Sequence, residues 1–235
     1  MSQFYNPKCI YHIFSDFCLE EFDQVPVLIP NRTKNSHTIC ILAGNIGHPK
    51  NANYWDLLDQ CNRYFDTTLV IMGEFECKGS TISYTSDFLT SEIEKKFRNI
   101  FFLNNEGCKL RDGTIAIGSP HWSSKSYFPS IGGFTSNVAR SAERVSSNVI
   151  KEGLRLASIN GTNDIENKPK LLFITSCPPV FSEKELFNWP KSIWIHGTNG
   201  LNGSKFVNKV QLLSNQFTFF GDKHRSFNPN FAFVL

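Results

Sequence analysis

Two cysteines and two carboxylates of this chain could together support metal chemistry. Cys18 and Cys177 could supply two thiolates to a single zinc ion, with Asp16 or Glu74 completing the ligand set. Their spacing matches no dedicated zinc motif, so small packing groups are the favoured interpretation of both thiols. Asp16 is open to a similar choice between a residual metal ligand and a turn residue that bonds backbone N–H groups, and the turn is favoured.

Glu74 and Glu76 are separated by one residue and could form an acid–base pair. Carboxylates in a loop are more often solvated or salt-bridged, and we favour that interpretation for both. Gly44–Gly47 and Gly197–Gly200 are too short, or lack the lysine, to be phosphate-binding loops, and are interpreted as turns.

The elements that must position these residues alternate between strands and helices, which predicts an α/β fold. Most of the candidate residues follow directly after an apolar strand. A turn is predicted at Asp112–Gly113 between two of the strands. Predicted helices cover 53–65, 86–99 (capped at Ser86) and 137–158, and predicted strands cover 11–15, 38–43, 67–72, 100–103, 114–117, 171–175, 193–196, 205–213, 217–220 and 231–235.

Short segments at the predicted strand ends follow a recognisable order. The first three are Ser-Asp-Phe-Cys-Leu-Glu at 15–20, Leu-Ala-Gly-Asn-Ile-Gly at 42–47 and Val-Ile-Met-Gly-Glu-Phe-Glu at 70–76. The later ones are Ile-Gly-Ser-Pro-His-Trp-Ser at 117–123, Thr-Ser-Cys-Pro-Pro at 175–179, Trp-Ile-His-Gly-Thr-Asn-Gly at 194–200 and Phe-Asn-Pro-Asn-Phe at 227–231.

In this order, the segments resemble the calcineurin-like metallophosphoesterase family over about residues 11 to 235. The resemblance implies a four-layer α/β/β/α sandwich, in which two packed mixed sheets are flanked by helices and the active-site loops gather at one edge. It also implies two-metal hydrolysis, in which divalent ions about 3.5–4 Å apart clamp the phosphate and activate a bridging water.

Most positions that the resemblance assigns to the metals carry other residues. Asp16 is retained, but Asn45 stands where the family has its metal-bridging aspartate, and an amide has neither the charge nor the second carboxylate oxygen. Phe75 replaces the histidine that protonates the leaving group, and phenylalanine cannot transfer a proton. Histidine ligands of the family are replaced here by Cys18, Ser176, Thr198 and Gly200, and its asparagine ligand is replaced by Glu74. Cys177 stands where the family has a second histidine, directly after the position of Ser176.

Three histidines lie near the segments that resemble the family. His121 replaces an apolar residue in a loop that could face the cleft; it is the best candidate among them for new chemistry, but the interpretation without a chemical role is favoured. His196 stands where the family has no ligand and is expected to be structural, and His48 is expected at the surface.

Composition limits the remaining function classes. With 40% apolar residues and 22 Phe among 235 residues, the chain can bury a large core, and one domain over 1–235 is expected. The net charge of +3 comes from basic residues scattered along the chain, which argues against binding to nucleic acid, and no apolar run approaches the roughly 18 residues of a membrane span.

The odd count of seven Cys favours a reducing, cytoplasmic compartment. The Asn- and Phe-rich composition is typical of AT-rich genomes such as those of many large DNA viruses.

We therefore predict a catalytically inactive metallophosphoesterase-like protein, without cofactor or metal, reused as a structural or protein-interaction component of a larger assembly such as a viral particle. One alternative is a divergent phosphoesterase of phosphomonoesters or phosphodiesters, with a single metal held by Asp16, Glu74 and a cysteine. Another is a module that binds a nucleotide or a phosphorylated ligand in the emptied cleft.

Overall fold

The computed structural model describes residues 8–120, 170–179, 192–198, 202–217 and 226–235, with the isolated positions 148 and 151. The helices within these ranges are α1 (Ala52–Tyr64) and α2 (Ile82–Lys96), with a short 3-10 turn at Leu19–Glu21. The strands are β1 (Lys8–Phe14), β2 (Ser36–Ala43), β3 (Thr67–Ile71), β4 (Ile100–Phe102), β5 (Glu106–Lys109), β6 (Ile115–Ser119), β7 (Leu171–Thr175), β8 (Ser192–His196), β9 (Gly203–Val207), β10 (Val210–Ser214) and β11 (Ala232–Phe233).

The first sheet contains five strands in the order β11-β1-β2-β3-β4. Strands β1 to β4 are parallel, whereas β11 runs antiparallel to β1 and places Phe233 opposite Tyr11. The two rings stack with their centroids 5.1 Å apart. This sheet therefore joins a strand near residue 10 to one near residue 233.

The second sheet contains six strands in the order β5-β6-β7-β8-β10-β9. Its four central strands are parallel, and β5 and β9 each pair antiparallel with their neighbour at the two edges. Both sheets are therefore mixed. Because parallel strands point the same way, the loops that follow β7 and β8 emerge at one edge of this sheet.

Apolar side chains fill the space between the two sheets. Other apolar side chains cover the outer face of the first sheet. The inner cluster joins Ile13 and Ile41 of the first sheet to Ile174 and Ile195 of the second. A separate cluster packs α1 and α2 against the outer face of the first sheet. Near-continuous apolar runs in β2 and β3 follow from this burial on both faces.

The outer face of the second sheet also carries a buried cluster, which includes Phe173 and Trp194 with their ring centroids 5.1 Å apart. Of the helix predicted over 137–158, only positions 148 and 151 are described, and both are helical. The expected α/β fold with two packed mixed sheets is confirmed. In the described part of the chain, no helix has the length and apolar character that crossing a bilayer requires.

Most predicted elements are confirmed to within a few residues, but three predictions were wrong. The turn at 112–113 does not join β4 to β6, because β4 pairs with β3 in the first sheet and the strand opposite β6 is β5. Helix α2 begins at Ile82 rather than at Ser86, since the Thr81 hydroxyl caps it by accepting a hydrogen bond from Tyr84 N at 3.2 Å.

The single strand predicted over 205–213 is instead a hairpin of β9 and β10. Asn208 turns the chain between them with a φ of 54°. Of the strand predicted at 217–220, only Phe217 is described, and it lies in a bend.

Candidate functional site at the sheet edge

The loops after β1, β2 and β8 meet at one edge of the packed sheets. Asp16 N donates to Gly44 O at 3.0 Å, and Cys18 N donates to Asn45 O at the same distance, which ties the β1 loop to the β2 loop. Gly197 N donates to Ser176 O at 3.1 Å and links the ends of β8 and β7. Positions far apart in the sequence are thereby brought to one place.

Asp16, Asn45 and Thr198 form a closed hydrogen-bond network in that place. Asp16 Oδ1 accepts from Asn45 Nδ2 at 3.0 Å and from Thr198 Oγ1 at 3.1 Å, while Asp16 Oδ2 accepts from Thr198 N at 2.9 Å. Asn45 Nδ2 also lies 2.9 Å from Thr198 Oγ1. Both oxygens of the one retained carboxylate are thus engaged by protein N–H and O–H groups.

The amide of Asn45 is held from both ends. Its Oδ1 accepts a hydrogen bond from Phe75 N at 3.2 Å, so its NH₂ group must face Asp16 and Thr198. The side chain that replaces a bridging carboxylate therefore presents hydrogens toward Asp16.

Backbone strain is concentrated in the same loops. Asp16, Cys18, Asn45 and Thr198 have φ values of 55°, 49°, 53° and 56°, in the left-handed region. That conformation costs about 1–2 kcal/mol for a non-glycine residue and is most unusual for β-branched threonine. The hydrogen bonds of the network hold Asp16, Asn45 and Thr198 in place, and the bond from Cys18 N to Asn45 O holds Cys18.

Two glycines allow the loops to come this close together. A Cβ on Gly197 would lie 2.6 Å from Asp16 Oδ2, and a Cβ on Gly73 would overlap Asn45 Oδ1 and N. Side chains at these positions would push the network apart. These two glycines of the motif-like segments therefore serve packing.

The environment of Asp16 is almost dry. Its side chain is 5% exposed, and burial raises the pKa of its carboxyl, while the hydrogen bonds from Asn45, Thr198 and Ser15 oppose that rise. Desolvation is the larger effect. Two adjacent cations would need several anionic oxygens here, and the network supplies one carboxylate.

The remaining predicted positions are placed as follows. Glu74 is half-buried, and burial raises the pKa of its carboxyl. Cys18 is buried, and Cys177 packs in the outer cluster of the first sheet. Ser176 is buried beside Gly44, where an added Cβ would lie 2.7 Å from Ser176 Cβ.

The expectation of a solvated or salt-bridged Glu76 is wrong. This side chain is 1% exposed and accepts three backbone hydrogen bonds, from Gly73 N and Ile46 N at 2.8 Å and from Asn45 N at 3.2 Å. Burial raises the pKa of Glu76 to about 7, although these bonds oppose the rise. Glu76 therefore fastens the β3 loop to the β2 loop.

His196 is buried, and its Nδ1 lies 3.2 Å from Gly197 O, while burial lowers the pKa of its ring. His48 is only partly exposed, and its Nε2 lies 2.9 Å from Lys78 O. Gly200 and His121 lie outside the described residues.

The donor set does not suit the two-metal centre that the fold family implies. Among the described side chains, no group of three or more His, Cys, Asp or Glu residues is arranged to hold a metal ion. The proposed ligand trio of Asp16, Glu74 and a cysteine is therefore not arranged as such a group. Moreover, the space beside the carboxylate oxygens of Asp16 is taken by the hydrogens of Asn45 and Thr198.

No family model and no curated protein matches the sequence. Among solved structures, the chain is similar to a phosphopantetheinyl hydrolase from Mycobacterium tuberculosis, with a TM-score of 0.57 and 10% identity over 90% of each chain. A putative 5'-nucleotidase from Staphylococcus aureus, in complex with alpha-ketoglutarate, aligns at a TM-score of 0.47 and 14% identity over 88% of this chain and 48% of that chain.

At these identities, similarity to a solved structure establishes the fold alone. The alignment to the hydrolase over 90% of each chain and the two packed mixed sheets together define the fold class. The chain has the calcineurin-like phosphoesterase fold.

Proposed function

We propose that this chain is a catalytically inactive protein of metallophosphoesterase fold, which serves as a protein-interaction component of a larger assembly such as a viral particle. The observation that carries the proposal is the closed network of Asp16, Asn45 and Thr198. It stands at the edge where a phosphoesterase of this fold would hold its metals.

Electrostatics supports the loss of catalysis. Two neighbouring dications repel each other, and a phosphoesterase offsets this with bridging and terminal carboxylates and with imidazoles. Here one buried carboxylate faces an amide and a hydroxyl. Binding a cation at Asp16 would require Thr198 and Asn45 to give up hydrogen bonds to a carboxylate that is almost fully buried.

The chemistry of the leaving group supports it further. The position expected to protonate the leaving oxygen is Phe75, which has no titratable group. Of the two carboxylates in this loop, Glu76 uses both oxygens to accept hydrogen bonds from backbone N–H groups, and Glu74 is half-buried. The retained features are those that fold the loops, so a role in binding other proteins is the simplest use of the scaffold.

The test is metal analysis of the purified protein together with assays of a phosphomonoester and a phosphodiester in manganese. We expect well below one ion per chain and no turnover above background. The single-metal phosphoesterase is the competing function. About one ion per chain, with turnover that Asp16→Ala abolishes, would establish it and overturn the proposal.

Glu74→Ala sharpens the comparison, because Glu74 lies outside the network yet belongs to the ligand set of the single-metal alternative. In an inactive protein, neither Asp16→Ala nor Glu74→Ala changes the assay. A single-metal enzyme would lose activity in both variants.

A further inference from the structure

A small cavity lies outside the Asp16 network, between the loop after β2, the loop after β3 and the first turns of α2. Pro49, Tyr84, Thr85 and Phe88 form walls of this cavity, and Glu76 contributes to its lining. Its volume is about 80 Å³ and its accessible lining is almost wholly apolar. We call it the α2 cavity.

The size of the α2 cavity limits what can enter it. Sites for nucleotides and drug-sized ligands enclose about 300–1,000 Å³, and a cavity that holds benzene measures about 150 Å³. A space of about 80 Å³ suits one aliphatic side chain. A protein partner that inserts a single residue therefore fits better than a free cofactor.

The aromatic side of the cavity is already in place. Tyr84 is 62% exposed yet stacks on Phe88, with ring centroids 6.4 Å apart and planes 9° from parallel. Phe88 in turn contacts Trp55 edge-on at 6.2 Å, and Trp55 Nε1 donates to Pro49 O at 2.7 Å. A wall held by its neighbours loses little entropy when a partner binds.

Lys50 is one of the residues that line the cavity. His48 also lines it and contacts the backbone of two lysines, because its Nδ1 accepts from Lys50 N at 3.1 Å and its Nε2 lies 2.9 Å from Lys78 O. Lys78 is therefore next to the cavity, although it is not part of the lining. Lys50 and Lys78 are exposed. Ion pairs between described residues involve Arg32, Lys95 and Lys96, so neither of these two lysines forms an ion pair with a described acid. The Glu76 carboxyl in the lining is occupied by its backbone hydrogen bonds.

We infer that the α2 cavity is a docking site for an acidic segment of a partner protein, which inserts one aliphatic side chain between Tyr84 and Pro49. The aliphatic group would fill the apolar space, and the flanking carboxylates would meet Lys50 and Lys78. A buried anchor with charged surroundings is the usual anatomy of a binding hot spot. The inference rests on the interaction role proposed above and supplies a site for it.

The probe is a fluorescently labelled peptide, acetyl-Asp-Glu-Leu-Asp-Glu-amide, whose binding is followed by anisotropy at low ionic strength. Two matched peptides replace its leucine by alanine or its four acids by lysine. We expect the alanine peptide to bind about tenfold more weakly, because the anchor is lost. The lysine peptide should not bind measurably.

Variants of the protein locate the site. Tyr84→Ala should weaken binding about tenfold, and Lys50→Glu should weaken it several-fold and reduce its dependence on salt. Tyr64→Ala and Lys109→Glu are the matched controls, because both positions are exposed outside the cavity lining, and they should leave binding unchanged. Thermal melting checks that each variant is folded.

Equal binding of the leucine and alanine peptides, or unchanged binding to Tyr84→Ala, would overturn the inference. Tight binding of a peptide without acids would also overturn it, since the partner would then be apolar only. Absence of peptide binding alongside absence of turnover would remove this site and leave the catalytic part of the proposed function standing.

Discussion

A single carboxylate at the sheet edge joins loops that are distant in the sequence. Asp16 contacts Thr198, 182 residues further along, and both oxygens of its side chain accept hydrogen bonds. In a metal enzyme the cations would hold such loops together. Here the hydrogen bonds of Asp16 join the loops after β1, β2 and β8 directly.

Removal of this carboxylate should destabilise the protein strongly. Asp16→Ala removes the acceptor of Thr198 N and one of the two acceptors of the Asn45 NH₂ group, and we expect the free energy of unfolding to fall by about 3 kcal/mol. Urea denaturation measures the change. Glu74→Ala is the control and should cost far less, because Glu74 lies outside the network. Equal losses in the two variants would contradict the structural role of Asp16.

Glu76 should make stability depend on pH. Its pKa is about 7 in the folded chain against 4.5 in the unfolded chain, so the folded state keeps this proton up to a higher pH. The stability that the protonated carboxyl contributes is complete below pH 4.5 and is lost as pH rises to about 7. A shift of this size corresponds to on the order of 3 kcal/mol.

Glu76→Gln isolates that contribution. The variant should be less stable than wild type throughout, because its NH₂ group meets backbone N–H donors. The difference in the free energy of unfolding between wild type and variant should shrink as pH rises from 4.5 to 7. Urea denaturation at several pH values measures it. Asp16 and Glu74 also have raised pKa values, so the comparison with the variant is required. A constant difference across this range would show that Glu76 does not titrate there.

At the scale of elements, the first turn of α2 supports the α2 cavity. Thr81→Ala removes the hydroxyl that accepts from Tyr84 N and should cost about 1 kcal/mol in the free energy of unfolding. Thr90→Ala, at an exposed position inside the same helix, should be neutral or slightly stabilising because alanine is the better helix former. A cost at position 90 equal to that at 81 would contradict the capping assignment.

The elements that the sequence predicted well are those with long apolar runs. Strands β2, β3 and β7 are buried along almost their whole length, and their apolar sequences predict this burial. Strand β5, Glu106–Lys109, is mostly exposed and contains glycine and two charged residues. Its place is set by pairing with β6 rather than by its own residues, and local patterns could not find it.

The candidate site was predictable in its positions but not in its interactions. The order of motif-like segments placed Asp16, Asn45 and Thr198 at strand ends, and the structure brings all three together. The hydrogen bonds between them depend on loop conformations that no spacing encodes. Glu76 was misjudged because charge alone predicts exposure, whereas three converging backbone N–H groups make its burial acceptable.

At the scale of the whole molecule, the cysteines serve as core residues. All seven are free thiols, and every one except Cys108 is buried. A thiol-reactive disulfide reagent should therefore titrate no more than one group per native chain and all seven in guanidinium. Burial raises the pKa of the Cys108 thiol, so even that reaction should be slow. Rapid titration of several thiols in the native protein would contradict the packing described here.

The pairing of β1 with β11 sets the order in which the molecule can be completed. Tyr11 can meet Phe233 only after all the residues between them are available, and the entropy lost in closing so long a loop must be offset by contacts made late. Folding should therefore be slow, as it is for topologies dominated by distant pairings. During synthesis on a ribosome, β1 could pair with β2, but its other edge would stay unpaired until residues 232–233 emerge from the exit tunnel.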